Sequence, residues 1–65
     1  MRATCTVARN NGIIRIEGDK LIEFSLDGKI LEWHLYPRYD DIINYRLFVR
    51  DYDAIRAGQI LAEWE

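Results

Sequence analysis

The sequence predicts an α+β fold: an antiparallel β-meander of four to five strands with one C-terminal α-helix packed on one face. Turn signals recur at short, regular spacing through the first half, at Asn11-Gly12, Gly18-Asp19-Lys20 and Asp27-Gly28. The stretches between them alternate apolar and polar residues, the period of a half-buried strand. Beyond residue 53 the apolar residues recur at helical spacing instead. The alternative is a small β-barrel of the SH3 or OB kind, in which the sheet curls on itself. Either way, 65 residues make a single domain, residues 1–65.

Four strands are expected near residues 3–9, 13–17, 21–26 and 29–36. Asn-Gly and Asp-Gly favour two-residue hairpin turns, because both central positions of a type I′ turn need positive φ. A two-residue turn at Asp27-Gly28 sets Phe24 opposite Leu31 and Ile22 opposite Trp33. A three-residue loop at 18–20 then sets Ile16 opposite Ile22 and Ile14 opposite Phe24. An Asn11-Gly12 turn adds Val7 opposite Ile16. These registers agree on one buried face: Cys5, Val7, Ile14, Ile16, Ile22, Phe24, Leu31, Trp33 and Leu35. The three-residue loop is preferred because a one-residue slip would send Ile16 and Ile22 to opposite faces.

Residues 37–42 read as a connector, since Pro37 cannot donate to a ladder and Asp40-Asp41 is turn chemistry. Residues 43–50 alternate, with Ile43, Tyr45, Leu47 and Val49 on one face, and are expected as a fifth strand. A helix beginning at Asp41 is the competing reading, disfavoured by the aromatic and β-branched content. Residues 53–64 are expected as the helix. Asp51 or Asp53 would cap it, and Ala54, Ala57, Leu61 and Trp64 would form its buried stripe. Twelve residues are too few for an isolated helix, so it would have to dock on the sheet.

The chain carries 9 Lys and Arg against 11 Asp and Glu, a net charge of −2 and a pI near 5.3. No basic excess is available to neutralise phosphates, which disfavours nucleic acid. One cysteine excludes an internal disulfide, and one Cys with one His falls short of a structural zinc site. Gly12, Gly18 and Gly28 are spaced as turns and match neither a Walker nor a dinucleotide motif. His34 lacks the partners of a catalytic triad. Cys5, at an inward position, reads as a small core hydrophobe. The preferred register sets Glu23 between Arg15 and Glu32 on the outer face, a solvated row on an open sheet. No cofactor, metal or catalytic activity is expected. The N-terminal residues lack the apolar core of a signal peptide and no apolar run exceeds three residues, so a cytoplasmic, membrane-free protein is expected.

The expected function is therefore recognition. The outer face mixes Ile13, Leu21, Ile30 and Tyr36 with charged residues, where one wet sheet face would alternate cleanly. Aromatic residues and arginines bunch between residues 33 and 52, and both dominate interface hot spots. Glu32, His34, Tyr36, Arg38, Tyr39, Phe48 and Tyr52 are the candidate interface. A protein partner is expected, with the chain acting as a small stoichiometric inhibitor or adaptor. Small proteins of mobile elements such as phages, which bind and block a host protein, set this expectation by size. Stacking of single-stranded nucleic acid on a small barrel is one alternative. Self-assembly as a structural subunit or homo-oligomer is the other.

Overall fold

The computed structural model describes residues 4–35 and 45–65. The described residues are all β. Seven strands run in order: β1 (Thr4–Val7), β2 (Gly12–Glu17), β3 (Lys20–Ser25), β4 (Ile30–His34), β5 (Arg46–Leu47), β6 (Ala54–Ile55) and β7 (Ile60–Trp64). They form two antiparallel sheets, ordered β1-β7-β5 and β4-β3-β2-β6. The expected α+β class is wrong: no helix occurs among the described residues. The connector 37–42 and residues Tyr36, Arg38 and Tyr39 lie outside them. Of the expected fifth strand, 43–50, residues 45–50 are described, and of these Arg46–Leu47 alone form a strand, β5.

The span 53–64 forms β6, a turn and β7 instead of a helix. Gly58 takes φ +89°, and the Gln59 N–H donates to the Arg56 carbonyl at 3.0 Å, closing a tight turn in mid-segment. A helix would need Gly58 at negative φ. It would also forgo the antiparallel ladder that β7 makes with both β1 and β5. Residues 60–64 satisfy both periodicities over so short a run, and long-range pairing decides between them.

β1 does not belong to the meander either. Its partner is β7, with Thr4 opposite Trp64 and Thr6 opposite Ala62. After a bulge at Thr6/Val7 the register holds through Val7–Ile60, Gly12–Ile55 and Ile13–Ala54. One antiparallel ribbon thus runs from sheet to sheet. Leu61 is the extra residue at the bulge and is fully buried. Asn11-Gly12 marks the corner of this ribbon rather than a hairpin turn. There the Asn11 side-chain oxygen accepts from the Ala57 N–H at 2.9 Å.

The meander β2-β3-β4 forms as expected, but with the two turn lengths exchanged. Glu17 faces Lys20 across a two-residue turn in which Gly18 has φ +59°. The second connection is a three-residue loop, Leu26-Asp27-Gly28. The Gly28 N–H donates to Ser25 at 3.1 Å, the Ser25 N–H to Lys29 at 2.9 Å, and Gly28 takes φ +90°. Ser25 Oγ fixes this loop by donating to the Asp27 carboxylate and accepting from the Lys29 N–H.

Each exchanged turn slips the register by one residue. The slips cancel in β4 and invert β3. Leu21 and Glu23 therefore point inward and are 1% and 0% exposed, while Phe24 points outward at 38%. Ile22 is buried, but on the outer face. Cys5 and Val7, expected inside, are exposed. The core joins both sheets: Ala8, Ile14, Leu21, Leu35, Val49, Ile55 and Leu61, with Ile16 and Trp33 packed against it.

Candidate protein-binding face

The register stacks the outer face of the four-stranded sheet into three rows. Ala54, Ile13, Phe24 and Ile30 stand opposite one another across all four strands. Arg15, Ile22 and Glu32 form the next row, and Glu17, Lys20 and His34 the third. The face is thus graded from apolar to charged. In the first row Ile13 is 45% and Ile30 64% exposed, and Leu26 in the adjoining loop is 83% exposed. An open groove lies beside this row, with Ile13, Leu26 and Ala54 as its apolar part and Asn11, Arg56 and Gln59 as its polar part. In the charged rows Lys20 Nζ lies 3.8 Å from a Glu32 carboxylate oxygen, an exposed pair that contributes little stability.

Turn 50–53 borders the second row. The Asp53 N–H donates to the Arg50 carbonyl at 3.1 Å, and an Asp53 carboxylate oxygen accepts from the Arg50 N–H at 2.7 Å. Tyr52 occupies the turn position with φ +71°, where glycine is favoured. Tyr52 is 66% exposed as a residue, and its ring lies under the Arg15 guanidinium, 4.2 Å from the ring centre. Asp51 Oδ1 accepts from the Ile16 N–H at 2.7 Å and from Arg15 Nε at 3.0 Å. The Ile16 amide, then Arg15, hold the Asp51 carboxyl below its ordinary pKa; the same hydrogen bond raises that of Arg15.

This fixes a sign. Between the depressed folded value and the ordinary value of about 4, the unfolded chain binds more protons than the native one. Stability from Asp51 is therefore complete above that window and is lost as pH falls through it. Asp51→Asn is expected to lower the melting temperature at pH 7, and its difference from wild type should shrink toward pH 2. A melting series over pH checks this; a difference that stays constant with pH refutes the ionic role.

Glu23 buttresses the face from behind. Its Oε1 accepts from the Arg9 and Asn10 N–H groups at 3.1 and 3.2 Å, and its Oε2 from Trp33 Nε1 at 2.8 Å. The carboxylate ties the ribbon corner to β3 and β4, which seats Gly12 and Ile13. The Arg9 guanidinium caps the arrangement 5.8 Å from the Trp33 ring centre. The expected solvent row Arg15-Glu23-Glu32 does not exist, because Arg15 and Glu32 flank Ile22 instead.

Of the candidate interface residues, Glu32 and His34 lie exposed on the charged side of this face, and Tyr52 stands at its margin. Phe48, 51% exposed, lies on the other sheet, where its N–H donates to the Leu61 carbonyl at 2.9 Å. Tyr36, Arg38 and Tyr39 are outside the described residues. Sequence reasoning placed Phe24 inside and did not single out Leu26; the two-residue turn at Gly18-Asp19 carries Phe24 to the outer face, and the three-residue loop 26–28 leaves Leu26 outside the ladder. Among the described residues no three His, Cys, Asp or Glu side chains group to hold a metal ion. No helix there is long and apolar enough to cross a membrane. No protein-family model, curated protein or solved structure matches the chain.

Proposed function

We propose that this chain is a non-catalytic protein-interaction module that docks a protein partner on the outer face of the β4-β3-β2-β6 sheet. On this reading it acts in the cytoplasm as a small stoichiometric inhibitor or adaptor, of the kind by which mobile elements block a host protein. The observation that supports it is the row Ala54–Ile13–Phe24–Ile30, continued by Leu26. These residues are contiguous, whereas surface apolar residues without a role are scattered singly. A polar rim of Arg15, Lys20, Glu17 and Glu32 borders them, the layout of an interface with an apolar centre. The partner is accordingly a protein surface with an apolar centre and charges of both signs at its margin. Nucleic acid is disfavoured, because Asp51 already engages Arg15 beside the exposed Tyr52, and Asp53 follows in the same turn.

Capture from host lysate followed by titration of the purified partner tests this. Ile13→Ser combined with Leu26→Ser is expected to cost at most about 1 kcal/mol of folding stability, as exposed positions do. The same pair should weaken partner binding at least about tenfold. Unchanged affinity in the folded double variant overturns the reading. Recovery of the chain alone, at twice its monomer mass by light scattering, would replace it with self-association.

A further inference from the structure

β4 ends its sheet and, among the described residues, pairs only with β3. The Ser25 N–H donates to the Lys29 carbonyl at 2.9 Å, and the Leu35 N–H to the Asp19 carbonyl at 2.7 Å. Residues 29, 31, 33 and 35 therefore turn their peptide groups toward β3. In an antiparallel ladder alternate residues turn theirs the other way. The N–H and C=O groups of Ile30, Glu32 and His34 thus face outward along one unbulged run. All three side chains are exposed, and Leu31 and Trp33 on the inner side of the strand are only half-buried.

The other strands with open sides are blunted. The β1–β7 ladder is broken by the bulge opposite Thr6/Val7, β5 and β6 are two residues long, and the Ile16 N–H at the end of β2 is closed by the Asp51 carboxylate. Short strands, bulges and covering groups are how proteins protect sheet edges. Among the described residues β4 has neither bulge nor side-chain cap.

We propose that the β4 edge accepts an extended segment of a partner protein as an added antiparallel strand. This deepens the interaction reading and rests on it, since Ile30 belongs to both surfaces. A row of alternating N–H and C=O groups is complemented by another extended backbone. Charge selects which one. A second copy pairing over the whole run, Ile30 opposite His34, would set the two Glu32 carboxylates directly opposite, which is unfavourable, and its other symmetric registers pair only part of the run. A foreign strand with Lys or Arg opposite Glu32 and an apolar residue opposite Ile30 satisfies the outer side. Apolar residues at the alternate positions cover Leu31 and Trp33. The recognised segment is thus apolar and β-forming, with one central basic residue.

The probe is a blocked peptide with the core Thr-Leu-Lys-Val-Val, whose Lys falls opposite Glu32 in antiparallel register. Its twin carries an N-methyl group on that Lys, which keeps every side chain and removes one strand hydrogen bond. Titration into the labelled full chain by amide NMR, up to about 1 mM peptide, is expected to shift Ile30, Glu32 and His34 saturably. N-methylation of the peptide, and separately Glu32→Lys in the protein, should each weaken binding about tenfold. Equal binding of peptide and twin, or no saturable shift, overturns the edge proposal. Concentration-dependent shifts at the edge without peptide also overturn it, by assigning the edge to a second copy. The Ile13 and Leu26 variants leave β4 untouched, so the face and the edge fail separately.

Discussion

Glu23→Ala is expected to leave the chain at or beyond its unfolding midpoint at 25 °C. The substitution strips a fully buried carboxylate from three donors: the Arg9 and Asn10 amides and the Trp33 indole. A buried donor left without a partner costs about 1–3 kcal/mol. Three together approach the whole stability of a chain this size, at roughly 0.05–0.15 kcal/mol per residue. Urea unfolding followed by tryptophan fluorescence reads the outcome; a folded baseline like that of wild type would show that the carboxylate is not structural. Glu23→Gln refines the test. Its one carbonyl oxygen can serve the Arg9 and Asn10 amides, but its NH₂ then meets the Trp33 N–H, donor against donor. Trp33→Phe removes that conflict. The two changes together should therefore cost less than their separate costs combined.

Gly12→Ala is expected to cost at least about 3 kcal/mol, the upper range for overpacking. A Cβ at this position would lie 2.0 Å from the Phe24 carbonyl oxygen and 2.8 Å from Ser25 Cα. Both obstacles are backbone, so no rotamer change relieves them. β2 and β3 would have to separate where Gly12 also pairs with Ile55. Gly18→Ala is the control. Nothing lies within 4 Å of its added Cβ, and only the positive φ opposes it, at about 1–2 kcal/mol. Thermal unfolding separates them, since 1 kcal/mol shifts the midpoint of so small a domain by about 4–8 °C. A Gly12→Ala variant that melts above Gly18→Ala would contradict the corner geometry.

Both experiments bear on what could be read from residues alone. The strands β2, β3 and β4 were legible, because alternation and turn residues are local signals. The inward sides of β2 and β4 were also legible, through Ile14, Ile16, Leu31, Trp33 and Leu35. β3 was misread. Leu21, Ile22 and Phe24 offer apolar residues to both faces, and the parity that hides Ile22 and Phe24 keeps Glu23 in water. The opposite parity is native because Arg9, Asn10 and Trp33 supply the carboxylate with donors, and two of those three lie 13 or 14 residues away. The same inversion carries Phe24 to the outer face and completes the apolar row there.

The second half shows the limit more sharply. Ala54, Ala57, Leu61 and Trp64 fit a helical stripe, and Asp51 and Asp53 are good caps. In the structure Asp51 caps the end of β2, and Asp53 closes the turn that carries Tyr52. Gly58 at φ +89° was the residue that spoke against the helix. A single glycine costs a helix only about 1 kcal/mol, so the residue type by itself does not exclude one.

By itself, then, the sequence determined the positions of the meander strands and a small net negative charge with no basic excess. These depend on composition and on contacts a few residues apart. Only the tertiary structure decided which face β3 buries, that β1 pairs with β7, and that residues 54–64 are strand. Each of those choices depends on hydrogen-bond partners distant in the chain. A strand's register and partner follow from what satisfies its polar groups after folding, and local periodicity carries no record of that.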